Sequence, residues 1–216
     1  MKVFISGQKY FGAGVFRLCV ELGLEIKGVC APPGDKYLTP LARAYGVPVT
    51  PAGALTFETM PAGCDLGITA HSFDYIGKKT RYKTRLGWLG YHPSLLPRHR
   101  GRSAVEWAIR MREPITGGTV YWLNAGIDRG DIERQEWAWI DPAYFSQEPK
   151  KAAADLWRQT LCPLGLKLIR AALLDIKNGK INKTPQDARL STWEPCTDVN
   201  DIYKPDLLMI SETAEK

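Results

Sequence analysis

His92 closes the apolar run of residues 86–91 (LGWLGY) and opens Pro93-Ser94-Leu95-Leu96-Pro97. Its ring is therefore expected at the carboxyl end of a strand, where an imidazole that titrates near neutrality can move protons. Asp128 lies in Gly126-Ile127-Asp128-Arg129-Gly130-Asp131. A carboxylate on a glycine-bracketed turn between two strands can approach another strand's end and orient or charge an imidazole. His71, in Ala70-His71-Ser72-Phe73, ends a second apolar run and has two readings, a polar strand end or a catalytic group. The glycines of residues 7–14 (GQKYFGAG) match neither a dinucleotide fingerprint nor a P-loop. They read as a strand-to-helix turn, yet such a turn sits on the ligand side of an open sheet, so Gly7, Lys9, Tyr10 and Phe11 are candidates for substrate contact. The five cysteines, at positions 19, 30, 64, 162 and 196, form no CxxC pair. Reduced thiols are the expected reading, with no metal site and no disulfide framework.

The elements that must position these residues follow from hydrophobic period. Residues 2–6 predict a strand and 12–22 a helix, with Val15, Leu18, Cys19 and Leu22 on one face. A strand over 24–31, closed by Pro32-Pro33-Gly34, and a short helix over 39–45, stopped by Gly46 and Pro48, continue the alternation. Residues 65–70 (DLGITA) and 86–91 are nearly unbroken apolar runs, as suits strands covered on both faces by helices. The fold class is therefore α/β, a Rossmann-like, doubly wound, mostly parallel sheet. Residues 118–124 and 132–140 read as an antiparallel extension joined by the Asp128 turn, and 103–111 as a helix. Residues 150–178 predict helix, with a break near Pro163 and a stop at Gly179. Pro185, Pro195 and Pro205 then punctuate a surface-running segment whose end, SETAEK, is expected to fray. The organisation is one domain over 1–180, with 181–216 as an extension packed on it.

A chain of 216 residues, 44% hydrophobic and 24% charged, supports one domain with a full core. The composition excludes a disordered chain, a collagen and a repeat array. The net charge of +6 gathers in Lys78, Lys79, Arg81, Lys83 and Arg85, then in Arg98, Arg100 and Arg102. Such a patch is either a solvated face or a surface for a phosphate, a polyanionic cofactor tail or nucleic acid. No aromatic-interleaved RNA motif accompanies it. No apolar run reaches ~18 residues and the N-terminus lacks an apolar signal region, so a cytoplasmic protein without membrane contact is expected.

The segment HPSLLPRHRG (92–101), followed by AGIDRGDI (125–132), closely resembles the catalytic core of the folate-dependent formyltransferases. That family includes methionyl-tRNA formyltransferase, glycinamide ribonucleotide transformylase and the sugar N-formyltransferases. PQDARLSTW (185–193) resembles the family's segment after the core, so the likeness covers roughly residues 1–195. The resemblance implies transfer of the formyl group of 10-formyltetrahydrofolate to an amine, leaving tetrahydrofolate. His92 stabilises or protonates and Asp128 sets its ionisation. The pterin is held largely by backbone groups of two loops, which map to Phe73 and Ile76 and to Leu123, Asn124, Gly126 and Asp128, with Leu96 nearby. Arg102, at a helix start, is placed for an anion. The acceptor implied is a small-molecule amine, such as a nucleotide-linked amino sugar. A tRNA is not expected, because that subgroup carries an additional C-terminal domain. Nothing in the sequence speaks to oligomeric state. Two alternatives stand beside transfer: hydrolysis of the formyl group, and a folate-binding module with a decayed site.

One position departs from the family pattern. An asparagine stands two places before the family's histidine and donates to the developing oxyanion, whereas here that place is Gly90. Loss of one such donor costs ~2.7–4 kcal/mol of transition-state stabilisation. The expectation is that Gly90 leaves open space, for a larger acceptor or for His71, Asn124 or an ordered water to take over the role.

Overall fold

The computed structural model describes residues 1–72 and 74–197. The apolar runs form strands β1 (Lys2–Gly7), β2 (Glu25–Ala31), β3 (Val49–Pro51), β4 (Leu66–Ala70), β5 (Gly87–His92), β6 (Ile115–Trp122) and β7 (Ile132–Trp139). They hydrogen-bond into one sheet in the order β3-β2-β1-β4-β5-β6-β7. The first five are mutually parallel, while β6 runs antiparallel to both β5 and β7. This is the expected doubly wound α/β sheet with its antiparallel extension.

Helices α1 (Lys9–Glu21), α2 (Leu38–Ala44), α3 (Lys78–Arg81), α4 (Ala104–Arg110), α5 (Pro149–Leu156) and α6 (Cys162–Lys177) complete the fold. Strand alternation divides the interior in two. Val3, Ile5, Ile68 and Leu89 join Val15 and Phe16 of α1 and Leu168 and Ile169 of α6 in the main core. Phe4, Cys30 and Trp88 project from the opposite face and pack with Met60, Cys64 and Ile76. Gly90 and His92 share the parity of Trp88, so they belong to this second face.

Several elements differ from expectation. Strand β3 is an edge strand of three residues ending in a proline, too short to show a period. Helix α1 begins at Lys9 rather than residue 12, since Lys9, at φ +56°, donates its N–H to Asp35 Oδ1 at 2.7 Å and turns the chain out of β1. Strand β6 begins earlier and ends at Trp122, because Ile115 already pairs with Trp139. The break near Pro163 takes the form of a π-helical turn, Trp157–Leu161, immediately before α6. A proline in the first turn of α6 lacks the N–H that would continue the α5 ladder.

The basic run of residues 78–85 is not one solvated face. Arg81 Nη1 donates to Ile76 O at 2.6 Å, Lys83 Nζ donates to Phe57 O and Met60 O, and Arg85 pairs with Asp65. These three cations tie loops together. Residues 180–197 fold back across the site end of the sheet, bridging Ile132 to Thr184 and Arg100 to Trp193, with Trp107 Nε1 donating to Pro195 O at 2.7 Å. The expected fraying of SETAEK concerns residues outside those described. No helix among the described residues is long and apolar enough to cross a membrane.

Candidate active site

His92 is the last residue of β5 and is almost fully buried. Its Nε2 lies 2.6 Å from the backbone carbonyl of His99. A carbonyl oxygen only accepts, so Nε2 carries the proton and Nδ1 is the nitrogen left to gain or lose one. Nδ1 faces Asp128 Oδ2 at 3.5 Å. That is a close approach longer than a formed N–H···O bond, of the kind that tightens on substrate binding.

Asp128 sits at φ +53° in the turn between β6 and β7. Aspartate is among the few residues that tolerate this left-handed backbone. Its carboxylate is held from two sides: Gly101 N–H donates to Oδ2 at 2.8 Å and the Tyr121 hydroxyl to Oδ1 at 2.7 Å. The backbone of the turn is pinned as well, since Gln186 Nε2 donates to Asp128 O at 2.9 Å and to Gly130 O at 2.7 Å, while its Oε1 accepts from Arg100 Nη2. Burial, then Asp128, raises the Tyr121 pKa well above the usual phenol range, so this hydroxyl keeps its proton and donates. Burial, then Arg129, draws the pKa of Arg100 down, and Asp128 partly opposes them.

Gly90 does not open onto free space. A Cβ there would meet Leu123 Cδ1 and Tyr121 Cε1 at 2.9 Å and Tyr121 Cζ at 3.0 Å. Gly90 and Tyr121 are direct partners across β5 and β6, and the phenol ring lies over the glycine. The expected vacancy is therefore filled by the chain itself. Asn124 is exposed and its Oδ1 accepts from Gly126 N at 2.9 Å, which turns it onto its own loop.

The structure does not bring His71 to Gly90. With φ at +58°, His71 places its ring edge-on to Trp157, centroids 5.6 Å apart, and Trp157 packs on Phe11 and Tyr91 of the main-core face. Burial, then Lys9, lowers the His71 pKa and favours the neutral ring. Phe11 belongs to that core at 1% exposure rather than to a binding surface. Ile76 is buried in the second core and its carbonyl is taken by Arg81. Leu96 is buried, with its N–H on Thr119 Oγ1 and its carbonyl accepting from Gln135 Nε2, so it shapes the loop. Phe73 lies outside the described residues.

Other candidates lie at or near the carboxyl ends of the strands. Gly7 ends β1, where a Cβ would strike Ala70 O at 2.4 Å, so this close approach of strands requires glycine. Lys9 is exposed, and Tyr10, 67% exposed, packs against Tyr37 with ring centroids 4.1 Å apart and planes tilted by 39°. Arg102 is exposed before α4, and the half-buried Leu123 and Gly126 flank the exposed Asn124. On the same side, Cys30 lies 3.2 Å from Asp74; burial and then Asp74 push its thiol up to about 12, which rules it out as a nucleophile near neutrality. Sequence reasoning passed over Tyr121, Gln186 and the Gly101 N–H. Gln186 lay inside the resembling segment PQDARLSTW, but nothing in spacing tied it to Asp128.

Residues 54–162, about half of the chain, match the family model described as formyl transferase. Methionyl-tRNA formyltransferase of Kosmotoga olearia is 31% identical over 97% of this chain and 68% of its own length. The mitochondrial 10-formyltetrahydrofolate dehydrogenase of Mus musculus is 30% identical over 90% of this chain, which spans 22% of that protein's length. Among solved structures, an N-formyltransferase of Helicobacter canadensis, in complex with folinic acid and dTDP-3-aminofucose, superposes with a TM-score of 0.71. It is 18% identical, with 94% of this chain and 74% of that chain covered, a likeness of fold. The matched core and the bacterial relative, covered over 68% of its length, together place this chain in the formyl transferase family.

Proposed function

We propose that this protein transfers the formyl group of 10-formyltetrahydrofolate to the amino group of a small-molecule acceptor, with the Asp128–His92 pair managing the protons. The observation that carries the reading is the approach of His92 Nδ1 to a carboxylate already fixed by two donors. When bound, 10-formyltetrahydrofolate supplies a formyl carbon attached to a nitrogen that departs as tetrahydrofolate. The loop that would receive its pterin fits the role: residues 124–127 present backbone at the surface, and Ile127 is 58% exposed beside Asp128. An apolar side chain held in water at the mouth of a polar site gains from covering a planar heterocycle.

The proton balance assigns the residues their parts. Attack of an amine lone pair on the formyl carbon makes that nitrogen acidic, and the Asp128–His92 pair accepts the proton. The same proton returns to the departing nitrogen, so the pair ends the cycle as it began. Nδ1 suits the task because Nε2–H is committed to His99 O, which fixes ring and tautomer. The acceptor side is assigned to Gly7, Lys9 and Tyr10, with the Tyr10–Tyr37 pair as an aromatic surface beyond β1. An amino sugar joined to a nucleotide, as in the complex of the Helicobacter canadensis neighbour, presents both a flat base and an amine to such a surface.

Two measurements test the proposal. Calorimetry with 5-formyltetrahydrofolate is expected to show binding in the micromolar range, near −8.2 kcal/mol, and absence of heat at about a millimolar sinks it. Release of tetrahydrofolate, followed with a panel of amines and with water alone, is expected to depend on an amine. Equal release with water alone identifies a hydrolase instead.

A further inference from the structure

We infer that Tyr121 is a positioning residue of this site: its ring takes the space a side chain at position 90 would need, and its hydroxyl holds one oxygen of Asp128 so that the other faces His92. The inference rests on the reading of Asp128 and His92 as the proton-handling pair and extends it to a residue on β6, the strand paired with β5.

The geometry follows from strand register. Gly90 of β5 and Tyr121 of β6 are directly opposed on one face of an antiparallel pair, the arrangement in which side chains meet across strands. With hydrogen at position 90 the phenol ring packs close to the glycine, and even a methyl group there would come within 2.9 Å of Cε1. A side chain at position 90 requires the phenol ring of Tyr121 or the side chain of Leu123 to shift, so the two positions are coupled in size.

The hydroxyl does more than fill space. A phenylalanine would pack equally well, whereas a buried phenol must find an acceptor, and this one finds Asp128 Oδ1 at 2.7 Å. Together with Gly101 N–H on Oδ2, it sets the plane of the carboxylate and leaves Oδ2 turned toward Nδ1. The charged and titratable groups around Asp128 are His92 from β5, Tyr121 from β6, and Arg100 and Arg129 from the flanking loops. Of these, Tyr121 is the neutral donor, and its removal takes away the hydrogen bond that Oδ1 accepts from it.

The test is Tyr121→Phe in the full chain, read by the pH titration of the His92 ring in protein with isotope-labelled histidine. A donor to the ionised form lowers a carboxylate pKa. Loss of the hydroxyl is thus expected to change the pH profile of the His92 ring signals relative to wild type, in the upward direction. Gly90→Ala, which keeps the hydroxyl but pushes the ring, is expected to move it in the same direction. Superimposable His92 titrations in wild type and both variants overturn the inference, since a purely packing role leaves them unchanged. These titrations need no turnover, so a chain that binds no folate but shows the shift contradicts the proposed function and upholds this inference. Where turnover is measurable, Tyr121→Phe is expected to lower kcat about tenfold while KM for the folate stays within twofold.

Discussion

At the scale of single residues, the site depends on which atoms are already committed. His92 Nε2 belongs to the His99 carbonyl, and both Asp128 oxygens have donors, so the proposed proton exchange falls in the Nδ1–Oδ2 gap. Asp128→Asn keeps an acceptor oxygen but removes the charge that stabilises an imidazolium. Its kcat is expected to fall between about 100- and 10,000-fold, the usual scale of general acid–base catalysis, with KM for the folate changed only a few-fold. Steady-state kinetics checks this, and a variant retaining more than about a tenth of wild-type kcat contradicts it. His92 and Asp128 were legible because each lies in a local motif whose residue types announce a strand end or a glycine turn. Tyr121 was not, because its meaning depends on standing opposite Gly90, and cross-strand register is a tertiary fact.

At the scale of elements, the C-terminal strap and the 92–101 loop act as clamps on the pair. His99, at φ +53°, is buried with Nε2 2.9 Å from Glu113 Oε2 and Nδ1 3.0 Å from Glu194 Oε2. Burial alone pulls an imidazole pKa down, but the two carboxylates, Glu194 foremost, outweigh it and the pKa is raised. The folded chain therefore holds this proton more tightly than the unfolded one. The resulting stability is whole below about pH 6.5, the ordinary imidazole value, and is lost as pH rises through the higher folded value. Thermal melts are expected to show Tm falling across that interval in wild type, and Glu194→Gln is expected to flatten the dependence. A second expectation concerns Gln186, whose amide pins two carbonyls of the Asp128 turn. Gln186→Ala is expected to cost about 1 kcal/mol of stability in denaturant titrations and to lower kcat several-fold. Most elements were legible, since long apolar runs and proline stops report local preference. The clamps were not, because the polar residues after position 180 acquire their roles only against loops distant in sequence.

At the scale of the whole molecule, the parallel strands deliver His92, the antiparallel extension delivers Tyr121 and Asp128, and the returning strap holds both loops against the strand ends. The chain spans 22% of the length of the Mus musculus dehydrogenase and 68% of that of the Kosmotoga olearia formyltransferase it matches. Ligand that binds the folded state alone raises stability by mass action, ~2.7 kcal/mol at a hundredfold excess over Kd. Saturating 5-formyltetrahydrofolate is accordingly expected to raise Tm by several degrees, and an unchanged melt contradicts a preformed folate site. The central claim is that the formyl carbon passes directly to an amine while the Asp128–His92 pair carries the proton. The most direct measurement follows an isotope-labelled formyl carbon from 10-formyltetrahydrofolate by NMR, with an amino-sugar nucleotide as acceptor, in wild type and in His92→Ala. The expected result is a formamide signal that grows with wild type and is at least 100-fold slower with the variant. Label that reaches the amine equally fast in both proteins, or reaches water alone in wild type, contradicts the account.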